Sequence, residues 1–175
     1  MNKGVIVGTV VLGGGGHTQE MLEVLKVAPF ELERLNVIVS AGDTQSVAKL
    51  NRAGISKQIV VYEIPRPNEV LQGYSVVRII KSLFVSFRVV LGISGEFLLC
   101  NGPGLCVPVC WLHRLMKPRT PIWYIESLTR LKTLSLTGKL VQWISSVFIV
   151  QSLQLARSQW PRRVYHPVFK MDKST

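Results

Sequence analysis

Residues 5–27 read VIVGTVVLGGGGHTQEMLEVLKV, and this stretch decides the fold. Its β-branched run, Val5–Leu12, is typical of a strand that is covered on both faces. Four glycines and His17 follow, and Thr18–Val27 then places apolar residues at helical spacing. A buried strand, a glycine-rich loop and a helix in this order predict the first unit of a parallel α/β sheet.

The same alternation of strands and helices continues along the chain. Further strands are predicted at Leu35–Ser40, Gln58–Ile64, Glu96–Cys100, Pro121–Ile125 and Val147–Gln151. Helices are predicted between them at Thr44–Arg52, Tyr74–Leu91, Leu105–Met116 and Leu128–Trp143. The 175 residues suit one domain, 1–175, and we expect a doubly wound, Rossmann-like parallel sheet.

The charge balance narrows the class of partner. Lys and Arg number 21 against 10 acidic residues, which gives a formal charge of +11. This excess favours an anionic partner, which is nucleic acid, an anionic membrane face or a phosphorylated ligand. The basic residues are scattered, and no RNA-binding motif or helix-turn-helix pattern is visible, so we do not expect nucleic acid as a partner.

No apolar run reaches the roughly 20 residues that a membrane-spanning helix needs. The nearest candidate, Tyr74–Leu91, is interrupted by Arg78, Lys81 and Arg88. It is either an ordinary helix packed on the sheet or a basic amphipathic helix resting on a membrane surface. We favour membrane contact, because its apolar content exceeds one packing face.

Three cysteines, Cys100, Cys106 and Cys110, lie close to His113 and invite a zinc interpretation. Their spacing lacks the paired CxxC motifs of structural zinc sites, so we expect free, buried thiols and no metal. His113 is expected on the surface. No secretory signal is visible, so the chain is expected to face the reducing cytosol.

Three polar or glycine-rich segments follow predicted strands, namely 13–18, 101–104 and 126–127. Because the carboxyl ends of parallel strands share one edge of the sheet, we expect these segments to line one cleft. The first segment suits a phosphate, since glycines let an anion approach the backbone at a helix N-terminus. The alternative is a glycine turn that serves only strand–helix packing.

The glycine loop fits neither common nucleotide motif. It has no Walker lysine, because Gly16 is followed by His17 and Thr18. The third glycine of a dinucleotide fingerprint would fall on Thr18, and Asp43 is only a weak candidate for a ribose-binding acid. Thr18 is a candidate helix cap or phosphate donor, and His17 is either a general base or a helix cap.

Five segments in order give the sequence a family resemblance: GGGGHTQEML, IPRPNEV, LLCNGPGLCVPVC, WYIESLTRLKTLSLTGKL and FIVQ. From about Val5 to Tyr165 the chain resembles the eukaryotic asparagine-linked glycosylation protein fourteen family. The resemblance implies the N-terminal half of a GT-B glycosyltransferase. A separate, small catalytic subunit would supply the UDP-GlcNAc-binding half, and this chain would be inactive without it.

The implied activity is transfer of the second GlcNAc from UDP-GlcNAc to the lipid diphosphate-sugar acceptor GlcNAc-diphosphodolichol. The implied location is the cytosolic face of the endoplasmic reticulum membrane, with the nuclear envelope as an alternative. Two other functions stay open: a bacterial-type subunit that acts on an undecaprenyl-linked acceptor, and a non-catalytic membrane scaffold. Family members usually carry an N-terminal anchor. We expect either peripheral binding through Tyr74–Leu91 or a sequence that is incomplete at its N-terminus.

The resemblance also implies roles for individual residues in an inverting displacement that needs no cofactor and no obligatory metal. His17 is the first candidate for the base that deprotonates the acceptor hydroxyl. Glu126 is the second candidate or the residue that orients His17, and the alternative is a carboxylate paired with Arg130. The residues expected to face the acceptor diphosphate are Gly14, Gly15, Gly16 and Thr18, with Asn101, Gly102 and Gly104 on the opposite wall.

Overall fold

The computed structural model describes residues 5–65, 76–157 and 163–165. The described strands are β1 (Val5–Val11), β2 (Glu31–Ser40), β3 (Ser56–Ile64), β4 (Phe97–Asn101), β5 (Ile122–Ile125), β6 (Val147–Val150) and β7 (Arg163–Tyr165). The described helices are α1 (Gly16–Lys26), α2 (Thr44–Ala53), α3 (Val76–Gly92), α4 (Cys106–Met116), α5 (Leu136–Val141) and α6 (Leu153–Arg157). Residues 74–75 of the third predicted helix lie outside these ranges.

All described strands pair in parallel in one sheet of order β3-β2-β1-β4-β5-β6-β7. The order reverses between β1 and β4, so the chain first builds the sheet in one direction and then in the other. This confirms the prediction of a doubly wound, Rossmann-like sheet. In such a sheet the point of reversal is the usual place for a ligand.

Apolar residues on the two faces of the sheet form two separate cores. Along β1, Val10 belongs to the core under α1 and α2, whereas Val11 belongs to the core under α3, α4, α5 and α6. This alternation follows from the two-residue period of a strand. Because both faces of β1 are covered, its sequence is a run of β-branched residues that only Gly8 interrupts.

The predicted helix Leu128–Trp143 is wrong in extent, since α5 covers only Leu136–Val141. The segment before α5 does not continue the helix, because a buried side chain binds its backbone N–H groups. The Glu126 carboxylate accepts from the backbone N–H groups of Ser127 and Ser135, which holds the chain between them as a loop. The Ser135 hydroxyl then accepts from the Gly138 N–H and caps α5.

The three cysteines are buried and free, as predicted, and Cys100 Sγ lies 3.4 Å from Cys110 Sγ. The prediction that His113 is exposed is wrong, because α4 turns this side chain inward and leaves it 2% exposed. Burial, with Lys117 and Arg114 nearby, lowers the pKa of His113 from 6.5 to about 4. Its Nδ1 atom has no hydrogen-bond partner among the described residues.

The α1 face of the sheet also carries an apolar groove of about 380 Å³ beside α1. Its lining includes Val24, Phe30, Trp123, Val147 and Ile149. Trp123 stacks on Phe97 there, with ring centroids 4.7 Å apart. In the part of the chain that the structure describes, no helix is both long enough and apolar enough to cross a membrane.

Candidate functional site

The candidate site lies where β1, β4 and β5 end, at the reversal of the strand order. β1 leads into the glycine loop 13–16, β4 ends at Asn101 before Gly102, and β5 ends just before Glu126. The prediction that these segments share one edge of the sheet is confirmed. Their loops lie side by side because β4 lies between β1 and β5 and all of these strands run in parallel, and the space at this edge is called the cleft below.

The loops after β1 and β4 pack directly on each other through positions without side chains. A Cβ atom on Gly13 would lie 2.8 Å from the Pro103 side chain. A Cβ atom on Gly102 would overlap the His17 imidazole, and Gly102 also has a φ of +70°, which favours glycine. The imidazole therefore rests on the backbone of the second loop.

His17 is held by side chains from both loops. Its Nδ1 atom lies 2.9 Å from Asn101 Oδ1, and the Asn101 Nδ2 group donates to Glu20 Oε2 at 2.9 Å. The His17 side chain keeps 34% of its surface exposed, whereas Asn101 is buried. The structure thus brings together the predicted residues His17 and Asn101 and leaves part of the imidazole accessible.

Glu20 is the functional candidate that the sequence analysis missed. Its Oε1 atom accepts from the Ser127 hydroxyl at 2.9 Å and from the Leu128 N–H at 3.3 Å. One side chain of α1 therefore joins all three loops of the cleft. The available signal was its spacing, because a residue three positions after His17 lies on the same face of a helix.

Part of the cleft lining is open backbone. A Cβ atom on Gly15, Gly16 or Gly104 would meet nothing within 4 Å. Helix α1 begins at Gly16 without a side-chain cap, so its first N–H groups have no partner within the helix. An uncapped helix N-terminus with open space before it suits an anion. Gly14 is less open, because its Cβ would lie 3.8 Å from the Asp43 carboxylate.

Thr18 does not present its hydroxyl to this space, contrary to its expected role. The side chain is fully buried and donates to the Gly13 carbonyl oxygen. It also lies 2.7 Å from the Ser46 hydroxyl, which contacts the Asp43 carboxylate at the start of α2. Thr18 therefore fastens the glycine loop to α2, and it neither caps α1 nor reaches a ligand with its side chain.

Glu126 is also fully buried, and its contacts differ from those expected of a base or of a partner for His17. Its Oε1 atom accepts from the Ser127 N–H, and its Oε2 atom accepts from the N–H and hydroxyl of Ser135. The side chains that contact His17 are Asn101 and Glu20. In the described ranges the structure gives no ion pair between Glu126 and Arg130.

A second candidate surface lies on α3, where polar side chains are buried and apolar side chains are exposed. Its buried positions include Ser82 and Ser86, and Ser86 donates to the Ser82 carbonyl oxygen. Its exposed apolar residues are Val76, Val77, Ile80, Leu83, Phe84, Phe87 and Leu91. Lys81 and Arg88 are exposed among them. Helix α4 packs beside α3 and exposes Trp111 and Leu115.

The doubly wound sheet, with the candidate site at the reversal of its strand order, defines the chain as a Rossmann-like α/β domain. A crystal structure of MurG from Acinetobacter baumannii has the same fold, with a TM-score of 0.65 at 16% identity. The match covers 91% of this chain and 44% of the MurG chain, so this chain spans less than half the length of MurG.

The chain belongs to the family described as oligosaccharide biosynthesis protein Alg14 like, whose sequence model matches residues 8–169. Among its relatives is the UDP-N-acetylglucosamine transferase subunit ALG14 of Rattus norvegicus, which is 32% identical over 89% of this chain and 79% of its own length. The protein of the same name from Yarrowia lipolytica is 35% identical, over 91% of this chain and 79% of its own length.

Proposed function

We propose that this chain is the acceptor-side subunit of a UDP-GlcNAc transferase that adds the second GlcNAc to GlcNAc-diphosphodolichol. The observation that carries the proposal is His17, a partly exposed imidazole held at Nδ1 beside the open glycines of the cleft. The names of the relatives support a transferase subunit. The half-enzyme fold supports a separate chain as the source of the nucleotide-binding half.

In the proposed reaction His17 acts as general base through Nε2. It takes the proton of the acceptor 4-hydroxyl while that oxygen attacks the anomeric carbon of UDP-GlcNAc. The bond from that carbon to the nucleotide diphosphate breaks, and UDP leaves on the partner subunit with its electron pair. Attack from the face opposite the leaving group inverts the anomeric centre.

We propose that the acceptor diphosphate binds at the start of α1. Gly15 and Gly16 offer open backbone there, and Gly104 lies on the facing loop. Unpaired N–H groups and the helix dipole favour a negative charge at this point. Arg130 and Lys132, which are exposed on the loop after β5, add positive charge near the same edge.

The α3 surface is proposed to rest on the membrane that holds the lipid acceptor. A helix that follows a strand begins at the carboxyl edge of the sheet, so the start of α3 lies at the same edge as the cleft. Its exposed phenylalanines would enter the headgroup boundary, and Lys81 and Arg88 would contact anionic lipid. We therefore propose peripheral attachment through α3 to the cytosolic face of the endoplasmic reticulum.

The partner subunit is proposed to contact the apolar groove beside α1. The groove is lined by Trp123, Val147 and Ile149 and lies on the sheet face opposite α3. A partner bound there would leave the membrane surface free. We therefore expect a heteromeric complex in which neither chain alone transfers sugar.

Reconstitution tests this function. The full chain, the small partner and UDP-GlcNAc are combined with a GlcNAc-diphospholipid in liposomes, and product is followed by mass spectrometry. We expect one added GlcNAc on the dolichol-linked acceptor and none when either chain is omitted. Failure to extend the acceptor, with both proteins folded and bound to each other, contradicts the proposal. Extension of an undecaprenyl-linked acceptor alone would instead indicate the bacterial-type function.

A further inference from the structure

We propose that Glu20 is a positioning residue that acts through Asn101 to fix the tautomer of His17, so that Nε2 is the proton-accepting atom. The inference rests on the proposed function only in calling His17 the base. The tautomer itself follows from hydrogen-bond chemistry on three side chains.

An ionised carboxylate can only accept hydrogen bonds. Glu20 therefore requires that the side-chain amide of Asn101 turn its NH₂ group toward Oε2, where the distance is 2.9 Å. The amide oxygen Oδ1 then faces His17 Nδ1, also at 2.9 Å. Because Oδ1 can only accept, Nδ1 must carry the proton, and the lone pair of the neutral imidazole is on Nε2.

Burial makes this arrangement the only one that satisfies every group. Asn101 is 1% exposed, so water cannot replace the hydrogen bonds that a reversed amide would lose. A buried polar group without a partner destabilises the fold. The second oxygen of Glu20 is engaged by the Ser127 hydroxyl and the Leu128 N–H. Glu20 is therefore held from two loops, and its own orientation does not depend on His17.

The variant Glu20→Gln has the same shape but different chemistry. The Leu128 N–H can only donate, so the oxygen of the new side-chain amide is expected to remain on the Ser127 and Leu128 side. The NH₂ group of that amide would then face Asn101, and the Asn101 amide would have to reverse to accept from it. The reversed Asn101 amide would offer NH₂ to His17, which moves the imidazole proton from Nδ1 to Nε2. The base would be blocked without loss of the fold.

A second substitution is expected to reverse this effect. In Glu20→Gln combined with Asn101→Asp, the new carboxylate can accept from the introduced amide and from His17 Nδ1–H at once. The double variant should recover the tautomer of the wild-type chain. A merely structural role for Glu20 predicts no such recovery, because the double variant differs further from the native sequence.

The direct test is nitrogen NMR of the full chain labelled with ¹⁵N-histidine, in alkaline buffer where imidazole is neutral. The chain has three histidines, so His17→Ala identifies the signals of residue 17. We expect a protonated Nδ1 and an unprotonated Nε2 in the wild-type chain, reversal in Glu20→Gln and recovery in the double variant. Glu23→Gln is the matched control, since Glu23 is partly exposed on α1 and pairs with Lys26.

The opposite tautomer or an equal mixture in the wild-type chain overturns the inference, and so does an unchanged tautomer in folded Glu20→Gln. If that variant does not fold, the wild-type tautomer and that of the double variant decide the question.

Activity of the complex separates this inference from the proposed function. Glu20→Gln should lower kcat by about 100-fold with little change in KM for the lipid acceptor, and the double variant should regain most of it. Full activity in His17→Ala would remove the base from the mechanism while leaving the tautomer result intact. A Glu20→Gln variant with the reversed tautomer and full activity would contradict the positioning role.

Discussion

The cleft and the α3 surface break the same rule in opposite directions. The cleft hides polar side chains, with Glu126, Asn101 and Thr18 all at or near zero exposure. Helix α3 instead buries serines and exposes large apolar residues, of which Phe84 is 61% exposed. In most domains the polar groups face water and the apolar groups face the core. Each reversal therefore needs its own physical explanation.

The two explanations differ. In the cleft, the carboxylates of Glu20 and Glu126 and the amide of Asn101 have hydrogen-bond partners in their own or a neighbouring loop, so the desolvation cost is offset within the molecule. On α3, the exposed apolar area has no such compensation within the described residues, and a contiguous patch of this kind marks an interaction surface. The cleft is thus preorganised by its own chain, whereas for the α3 surface we propose a membrane as the partner.

The largest expected effect comes from breaking the contact between the two glycine loops. In Gly102→Ala the new methyl group would overlap the His17 ring, and the residue would have to hold a φ of +70°. We expect kcat of the reconstituted complex to fall by about 100-fold or more, while UDP-GlcNAc binding by the complex is retained. Gly54→Ala, at the end of α2, is the control for a positive φ alone, because Gly54 has a φ of +60° and its Cβ would meet nothing within 4 Å.

The two carboxylates of the cleft, Glu20 and Glu126, are expected to respond differently to the same substitution by glutamine. Glu126→Gln would turn an NH₂ group toward either the Ser127 N–H or the Ser135 N–H, leaving a buried donor unpaired. We expect the free energy of unfolding to fall by about 2 kcal/mol in urea titrations. Glu20→Gln should lower it by less, since the Asn101 amide beside it can reverse. Equal stability losses in both variants would contradict the distinction.

Unlike the paired groups of the cleft, the buried Nδ1 atom of His113 in α4 has no hydrogen-bond partner among the described residues. We expect this difference to appear in the pH dependence of stability. The folded pKa of His113, about 4, lies below its reference value of 6.5, so the unfolded chain binds the extra proton first. The stability that the folded chain gains by keeping His113 neutral is fully present above pH 6.5 and is lost as the pH falls toward 4. We expect a loss of about 2 kcal/mol between pH ~7 and ~5. His113→Leu should remove this contribution, and an unchanged slope would argue against it.

The smallest expected effect concerns the outer surface. Replacing Phe84 and Phe87 by serine removes exposed apolar area, so stability should hardly change. Binding to liposomes that contain anionic lipid should weaken about tenfold in flotation experiments. Lys81→Gln with Arg88→Gln should weaken binding at low salt only. Unaltered flotation of the phenylalanine variant would show that α3 is not the membrane surface.

The sequence was sufficient for the sheet and for the place of the cleft, because β1 reads as a continuous apolar run that ends in glycines. It was insufficient for individual side-chain roles. Glu126 looked available because it follows a strand, but sequence does not give the depth of a side chain. Glu20 was missed because its partner Leu128 lies 108 residues away in the chain. The loop before α5 read as a helix because the competing acceptor, Glu126, acts from outside that segment.

We propose that this chain, through His17, contributes the base of the transfer reaction. The most direct measurement is the single-turnover rate of GlcNAc transfer by the reconstituted complex with His17→Ala, beside the Glu23→Gln control. We expect a rate reduced by about 100- to 10,000-fold, with partner and UDP-GlcNAc binding retained. A rate equal to that of the control would contradict the claim and would leave this chain as a scaffold for its partner.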